Sequence, residues 1–176
     1  MLVFTLSDAY PWNSTYSAND GRVVYKVVSP YQFIGQKATI FRKSKLAEVD
    51  EQFGHLGVVK FNMVASSKFR FHGGEVKTKE YFRLGKRGWN GRDHIFTAPD
   101  GREYTWVLGA DAPILYLNDS PSIVVARYRR KWDLSWPTPP ARLEIMPAGE
   151  GIVDTIVMTL VFIEHLRLAR ERAKEH

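Results

Sequence analysis

Cysteine is absent from this 176-residue chain. A disulfide framework, a thiolate nucleophile, a dithiol redox pair and a thiolate-ligated metal are therefore excluded. Acid is scarce beside base: 19 Asp and Glu stand against 25 Lys and Arg, giving a net charge of +6. That surplus favours anionic partners. Long hydrophobic runs are also missing. The most apolar stretch, Ile152 to Ile163, holds Asp154 and two threonines and stops at Glu164-His165. It falls short of the roughly 20 residues of a membrane-spanning helix and reads as a buried core helix. The start, Met1-Leu2-Val3-Phe4-Thr5-Leu6-Ser7-Asp8, has no basic n-region, and position 2 is not glycine. No secretory leader or acyl anchor is expected, and the expected location is cytoplasmic, peripheral at a membrane.

Catalytic signatures are lacking as well. There is no Gly-x-Ser-x-Gly elbow and no His-Glu-x-x-His, and the glycines at 85, 88 and 91 do not have P-loop spacing. His55, His72, His94, His165 and His176 fall at no metal-ligand spacing. No catalytic residue, metal or cofactor is expected, and the chain does not read as an enzyme. Asp154 is expected to serve free backbone N–H groups in the first turn of a helix.

What is present builds a core. Apolar residues make up 44% of the chain, which has five Trp, eight Tyr and ten Phe. Up to residue 147 the pattern is short alternating strands divided by turn signals, the mark of a sandwich or barrel. Strands are expected at Leu2–Leu6, Arg22–Val28, Ala38–Lys43, Leu46–Val49, Val58–Val64, Lys68–His72, Glu75–Lys79, His94–Thr97, Arg102–Leu108, Ile114–Asn118, Ile123–Arg129 and Arg142–Met146. Asp20-Gly21-Arg22-Val23 is echoed at Asp100-Gly101-Arg102-Glu103. Two like hairpins in two halves of one barrel, or convergent turn chemistry, both account for the echo.

From Glu150 to about Lys174 one helix is expected, with cations in its last turns where the macrodipole favours them. Its first turns are apolar nearly all round, so protein must surround them. The expected fold is a single domain over 1–176: a closed antiparallel β-barrel of about twelve strands (1–147) around a buried C-terminal helix with a basic tail (150–174). A filled lumen disfavours a ligand cavity of the open-barrel kind.

The segments Asp20–Tyr25, Phe96–Trp106, Val125–Tyr128 and Arg142 to Glu164 carry a family likeness. In them the chain resembles a fungal family of small uncharacterised proteins. Through architecture alone, a barrel closed on a helix, it resembles the tubby C-terminal-like superfamily of tubby proteins, LURP-one-related proteins and phospholipid scramblases. The resemblance implies the fold and, by analogy, phosphoinositide binding. It carries over no residue's role, because neither a tubby phosphoinositide signature nor a scramblase calcium segment stands in the sequence.

Between Lys68 and Arg92 eight Lys or Arg face only Glu75 and Glu80, a local surplus equal to that of the whole chain. Lys68 and Arg70 alternate with Phe69 and Phe71, and Lys77 and Lys79 are expected on the facing strand across Gly73-Gly74. Lys86, Arg87 and Arg92 lie in a glycine-rich loop around Trp89, and Arg127, Arg129 and Lys131 share a strand face. These cations read either as an anionic-headgroup site or as a solvated face that blunts sheet edges. Trp89 reads as a membrane or partner contact, or as a cap on the barrel end. Trp132–Pro140 reads as a partner segment or as a plain connection. Nucleic acid is not expected, since no recognition helix or RNP-like strand is present. The resulting expectation is a non-enzymatic binding module for anionic surfaces. A protein-interaction scaffold with an incidental basic face is the alternative.

Overall fold

The computed structural model describes residues 1–30, 36–44, 52–62, 65–130 and 140–175. The strand expected at Leu46–Val49, the end of that at Val58–Val64, Lys131, most of the Trp132–Pro140 connection and His176 lie outside the described residues.

The described residues form thirteen strands, where about twelve were expected. They are β1 (Leu2–Leu6), β2 (Ser14–Ser17), β3 (Val23–Val28), β4 (Lys37–Lys43), β5 (Phe53–Lys60), β6 (Lys68–Phe71), β7 (Gly74–Lys77), β8 (Arg83–Gly88), β9 (Gly91–Thr97), β10 (Glu103–Val107), β11 (Ile114–Leu117), β12 (Val124–Arg129) and β13 (Arg142–Ile145). One helical turn, α1 (Thr78–Tyr81), joins β7 to β8, and a 3₁₀ segment (Pro147–Ile152) leads into α2 (Val153–Lys174). The expected helix start at Glu150 is thus corrected: Pro147 suits a helical first turn, and that turn is 3₁₀.

All strands join one antiparallel sheet in the order β7-β6-β5-β4-β3-β2-β1-β13-β12-β11-β10-β9-β8. Hydrogen-bonded closure, expected from the sequence, is not found among the described residues: β7 and β8 are the two outer strands of the ladder. Aromatic packing fills the inner side of this seam instead. Phe82 meets Phe69, Phe96 and Phe162 at ring separations of 5.6–5.8 Å, and Tyr81 meets Phe69 at 5.1 Å.

The sheet wraps α2. Every residue from Thr155 to Glu164 is buried. Ile156, Leu160 and Ile163 are each 0% exposed, and burying side chains of this kind stabilises by roughly 1.5–3 kcal/mol apiece. Contacts reach the helix from both halves of the chain. Phe69 meets Phe162 edge-on at 5.6 Å, and Trp106 Nε1 donates to Thr159 Oγ1 at 2.9 Å. A Cβ added to Gly149 would fall 2.9 Å from both Ile145 and Val125, so the entry into the helix is tightly packed.

The repeated Asp-Gly-Arg segments fold alike. Gly21 and Gly101 have φ of +80° and +81°, which glycine adopts without strain. Arg22 N–H donates to Asp20 at 3.0 Å and Arg102 N–H to Asp100 at 3.1 Å, while Ala18 N–H and Ala98 N–H each reach the matching arginine carbonyl at 2.9 Å. One turn joins β2 to β3 and the other β9 to β10. Each is the turn between the second and third strands of a meander, in β1–β7 and in β8–β13, and the two meanders join side by side where β1 pairs with β13. Shared position, beyond shared turn chemistry, favours the two-halves reading.

Candidate functional site

Antiparallel alternation sends successive connections to opposite ends of the rolled sheet. Contacts with α2 identify the ends. Its C-terminal part meets Phe61 after β5 (stacked on His165, 4.0 Å), Trp12 before β2 (5.4 Å from His165) and the Ala110 carbonyl after β10 (2.9 Å from Arg167). Its N-terminal part meets Tyr25 and Arg42 through Asp154. Lys37 opens β4, Lys60 ends β5, Lys68 opens β6 and Lys77 ends β7. All four therefore stand at the rim where the C-terminal part of α2 emerges.

Register sets these four lysines side by side. Lys37 pairs with Lys60, Lys60 with Lys68, and Lys68 with Lys77, forming one row across four adjacent strands. Like charges directly opposite one another are destabilising in a sheet. Glu75 offsets part of the cost. Its carboxylate lies 2.9 Å from Lys68 Nζ, 3.1 Å from Lys60 Nζ and 3.4 Å from Arg70. Hydrogen bonds from Lys68 and Lys60 pull its pKa down to about 2. Lys77 stands 4.0 Å from Glu80. Four ammonium groups and the Arg70 guanidinium thus face two carboxylates. Lys37 and Lys60 escape the sequence reading because their partners lie on neighbouring strands, and only the register brings them together.

The basic stretch around Trp89 is a hairpin, not the expected loop. β8 and β9 pair through Arg87↔Arg92 and Gly88↔Gly91, with Trp89-Asn90 at the tip. Trp89 is 77% exposed and so does not cap the barrel end. The tip is fixed to its surroundings. Buried Asn90 donates to the Gly109 carbonyl at 2.6 Å, Lys174 Nζ reaches the Trp89 carbonyl at 2.5 Å, and Arg170 reaches the Asn90 carbonyl at 3.2 Å. Gly91 has φ +115°, a conformation that favours glycine, and a Cβ there would have to displace the Arg170 guanidinium, whose Nη1 lies 1.9 Å away. Lys86, Arg87 and Arg92 are exposed beside the tip, with Asp93 interleaved.

The remaining expected cations are placed elsewhere. Lys79 is exposed but lies in α1, beyond the strand that was to carry it. Arg127 and Arg129 belong to β12, which β3, β2, β1 and β13 separate from the lysine row. Arg129 is bound to Glu144 at 2.9 Å, and Arg127 is half-buried opposite the same Glu144. This stripe does not join the row.

Other sequence readings are corrected by packing. Asp154 does not serve helix N–H groups; it accepts from Tyr25 Oη at 2.5 Å and pairs with Arg42, tying α2 to β3 and β4. Arg167, read as part of a basic tail, is buried and makes a two-pronged pair with buried Glu164 at 2.7 and 2.9 Å. Burial raises the Glu164 pKa although Arg167 opposes it. His94 Nδ1 lies 2.8 Å from the Arg92 carbonyl, and burial pushes its pKa down to about 4. His165 shifts equally, for the same first cause. Among the described residues no group of three or more His, Asp or Glu is placed to hold a metal ion, and no helix is long and apolar enough to cross a membrane.

The model of a family of unknown function, DUF6593, matches residues 9–169. No curated protein and no solved structure matches the chain.

Proposed function

Because the chain belongs to the DUF6593 family, whose description carries no activity, its own residues must carry the reading, and we propose that it is a non-enzymatic binding module for anionic surfaces. Phosphoinositide-containing membranes facing the cytoplasm are the surfaces meant. The row Lys37–Lys60–Lys68–Lys77 supports this most directly, because it gathers charge at one rim in spite of the cost of like neighbours. The Trp89 hairpin offers a second contact, an exposed indole among cations, suited to a membrane interface. Kinship with the tubby-like superfamily is part of the same proposal. One sheet of two meanders with a like Asp-Gly-Arg turn in each, rolled around a C-terminal helix, supports it.

Sedimentation with phosphatidylcholine vesicles, with and without phosphoinositide, tests the reading. Each lysine near an anionic surface contributes about 1 kcal/mol, so Lys37→Gln with Lys77→Gln weakens binding by about 2 kcal/mol, or about thirty-fold. Both side chains are exposed, so the melting temperature stays nearly fixed. Added salt weakens wild-type binding similarly. Wild-type protein that ignores phosphoinositide vesicles at low salt refutes the proposal and favours the scaffold alternative.

A further inference from the structure

We infer that the seam beside β7 is a binding site for a single-chain anionic amphiphile, its hydrocarbon end inside the sheet and its anionic head at Lys77. Under the β6–β7 hairpin lies a cavity of about 150 Å³, walled by Phe69, Phe71 and Val76, by Tyr81 of α1, and by Thr155, Met158 and Thr159 of α2. Protein interiors leave few voids larger than a water. Apolar space of about this volume accepts a benzene-sized guest. The Thr159 hydroxyl donates to the Thr155 carbonyl at 2.7 Å and accepts from Trp106 at 2.9 Å. It is committed to protein partners, so a guest meets mainly ring faces, methyl groups and a thioether.

The outer wall is an edge strand. β7 has four residues and, among the described residues, pairs only with β6. Val76, Phe71 and Tyr81 are half-buried, so the cavity comes to the surface at this free edge. Alternation along the hairpin then supplies the head-group chemistry: Phe69, Phe71 and Val76 line the cavity, while Lys68, Arg70 and Lys77 face out. Lys77 follows Val76 at the edge and is paired in register with Lys68. A chain entering past Val76 leaves its anion beside these two ammonium groups. The head-group half of this inference rests on the proposed cationic rim; the chain half does not. Fatty acids and monoalkyl phosphates share the required chemistry.

The test uses hexyl phosphate, hexanol and inorganic phosphate as probes, read by the Met158 methyl resonance and the melting temperature. Hexyl phosphate is expected to shift the resonance and raise the melting temperature. Hexanol is expected to shift it at higher concentration, and inorganic phosphate to leave it in place. Val76→Phe fills the cavity and abolishes the Met158 response while vesicle sedimentation persists. Lys77→Gln keeps the cavity and weakens hexyl phosphate about five-fold with hexanol unchanged; its exposed position leaves folding intact should Val76→Phe prove unstable. A Met158 resonance unmoved by both hexyl compounds up to their solubility overturns the inference, as does an equal response in wild type and folded Val76→Phe. Equal hexyl phosphate affinity in wild type and Lys77→Gln overturns the placement of the head. Uptake of hexyl phosphate by protein that ignores vesicles supports the site and removes the surface-docking reading alone.

Discussion

Acid should loosen this fold well above the pH at which ordinary carboxylates titrate, and two histidines set the window. His94 packs edge-on to Phe82 at 5.3 Å, and His165 stacks on Phe61 at 4.0 Å. Burial lowers both from 6.5 to about 4, helped by Arg170 near His94 and Arg172 near His165. The folded state therefore holds neutral rings, while the unfolded chain takes up protons near pH 6.5. Stability from these groups is complete above about pH 6.5 and falls as pH drops toward 4, since the unfolded state binds more protons there. Between pH 7 and pH 5 the linkage costs at most about 2 kcal/mol per ring, or about 4 kcal/mol together. Glu164 opposes this: its raised pKa makes the folded state bind a proton more readily, offsetting part of the loss. Glu75, lowered to about 2, adds loss in the same direction but only below about pH 4.5. Urea unfolding at the two pH values measures the difference. His165→Phe keeps an aromatic face against Phe61 and removes one titration, so it should roughly halve the pH dependence. Equal stability at pH 7 and pH 5, or an undiminished slope in His165→Phe, would refute the assignment.

Two further outcomes follow from the core. Leu160→Ala, at a fully buried site, should cost about 3–5 kcal/mol in urea unfolding with little change in the denaturant slope. Arg167→Ala should cost about 3–5 kcal/mol by stranding the Glu164 charge, whereas Glu164→Gln with Arg167→Met should recover most of that loss in the same assay.

The helix was legible because a segment apolar on every side has one explanation when it is too short to span a membrane, and Thr155–Glu164 is buried throughout. The Asp-Gly turns were legible because their geometry needs the residues present. β2 was not: Ser14-Thr15-Tyr16-Ser17 has one large apolar side chain and is a strand through its pairing with β1 and β3. β8 was hidden likewise, since Leu84 is its only large apolar residue and glycine and cations mask its pairing with β9. The lysine row lay beyond any linear reading. Its members span positions 37 to 77, and each pair depends on a register that a single-residue slip would destroy. Asp154 shows the same limit, with partners 129 and 112 positions away.

The helix that completes the core also decides where a ligand can approach. Side chains from Ile156 to Ile163 fill the axis of the rolled sheet, and the Glu164–Arg167 pair, tied to the Ala110 carbonyl, occupies it nearer the C-terminal end. Opening that axis would break a buried ion pair and expose apolar surface, so the axis is a poor route for a guest. The seam is different. Its two strands share no ladder hydrogen bonds among the described residues, β7 is held in the sheet from one side, and moving it disturbs only its pairing with β6 and the surface ion pairs of Glu75. Local opening takes place where the fewest contacts are lost. The same hairpin carries two members of the lysine row, Lys68 and Lys77, and walls the cavity. An anion held by the row therefore bears on the element that gives access to the interior. Surface binding and chain uptake should accordingly be linked: both draw on Lys68 and Lys77, so occupancy of one site should lower affinity at the other by the same factor.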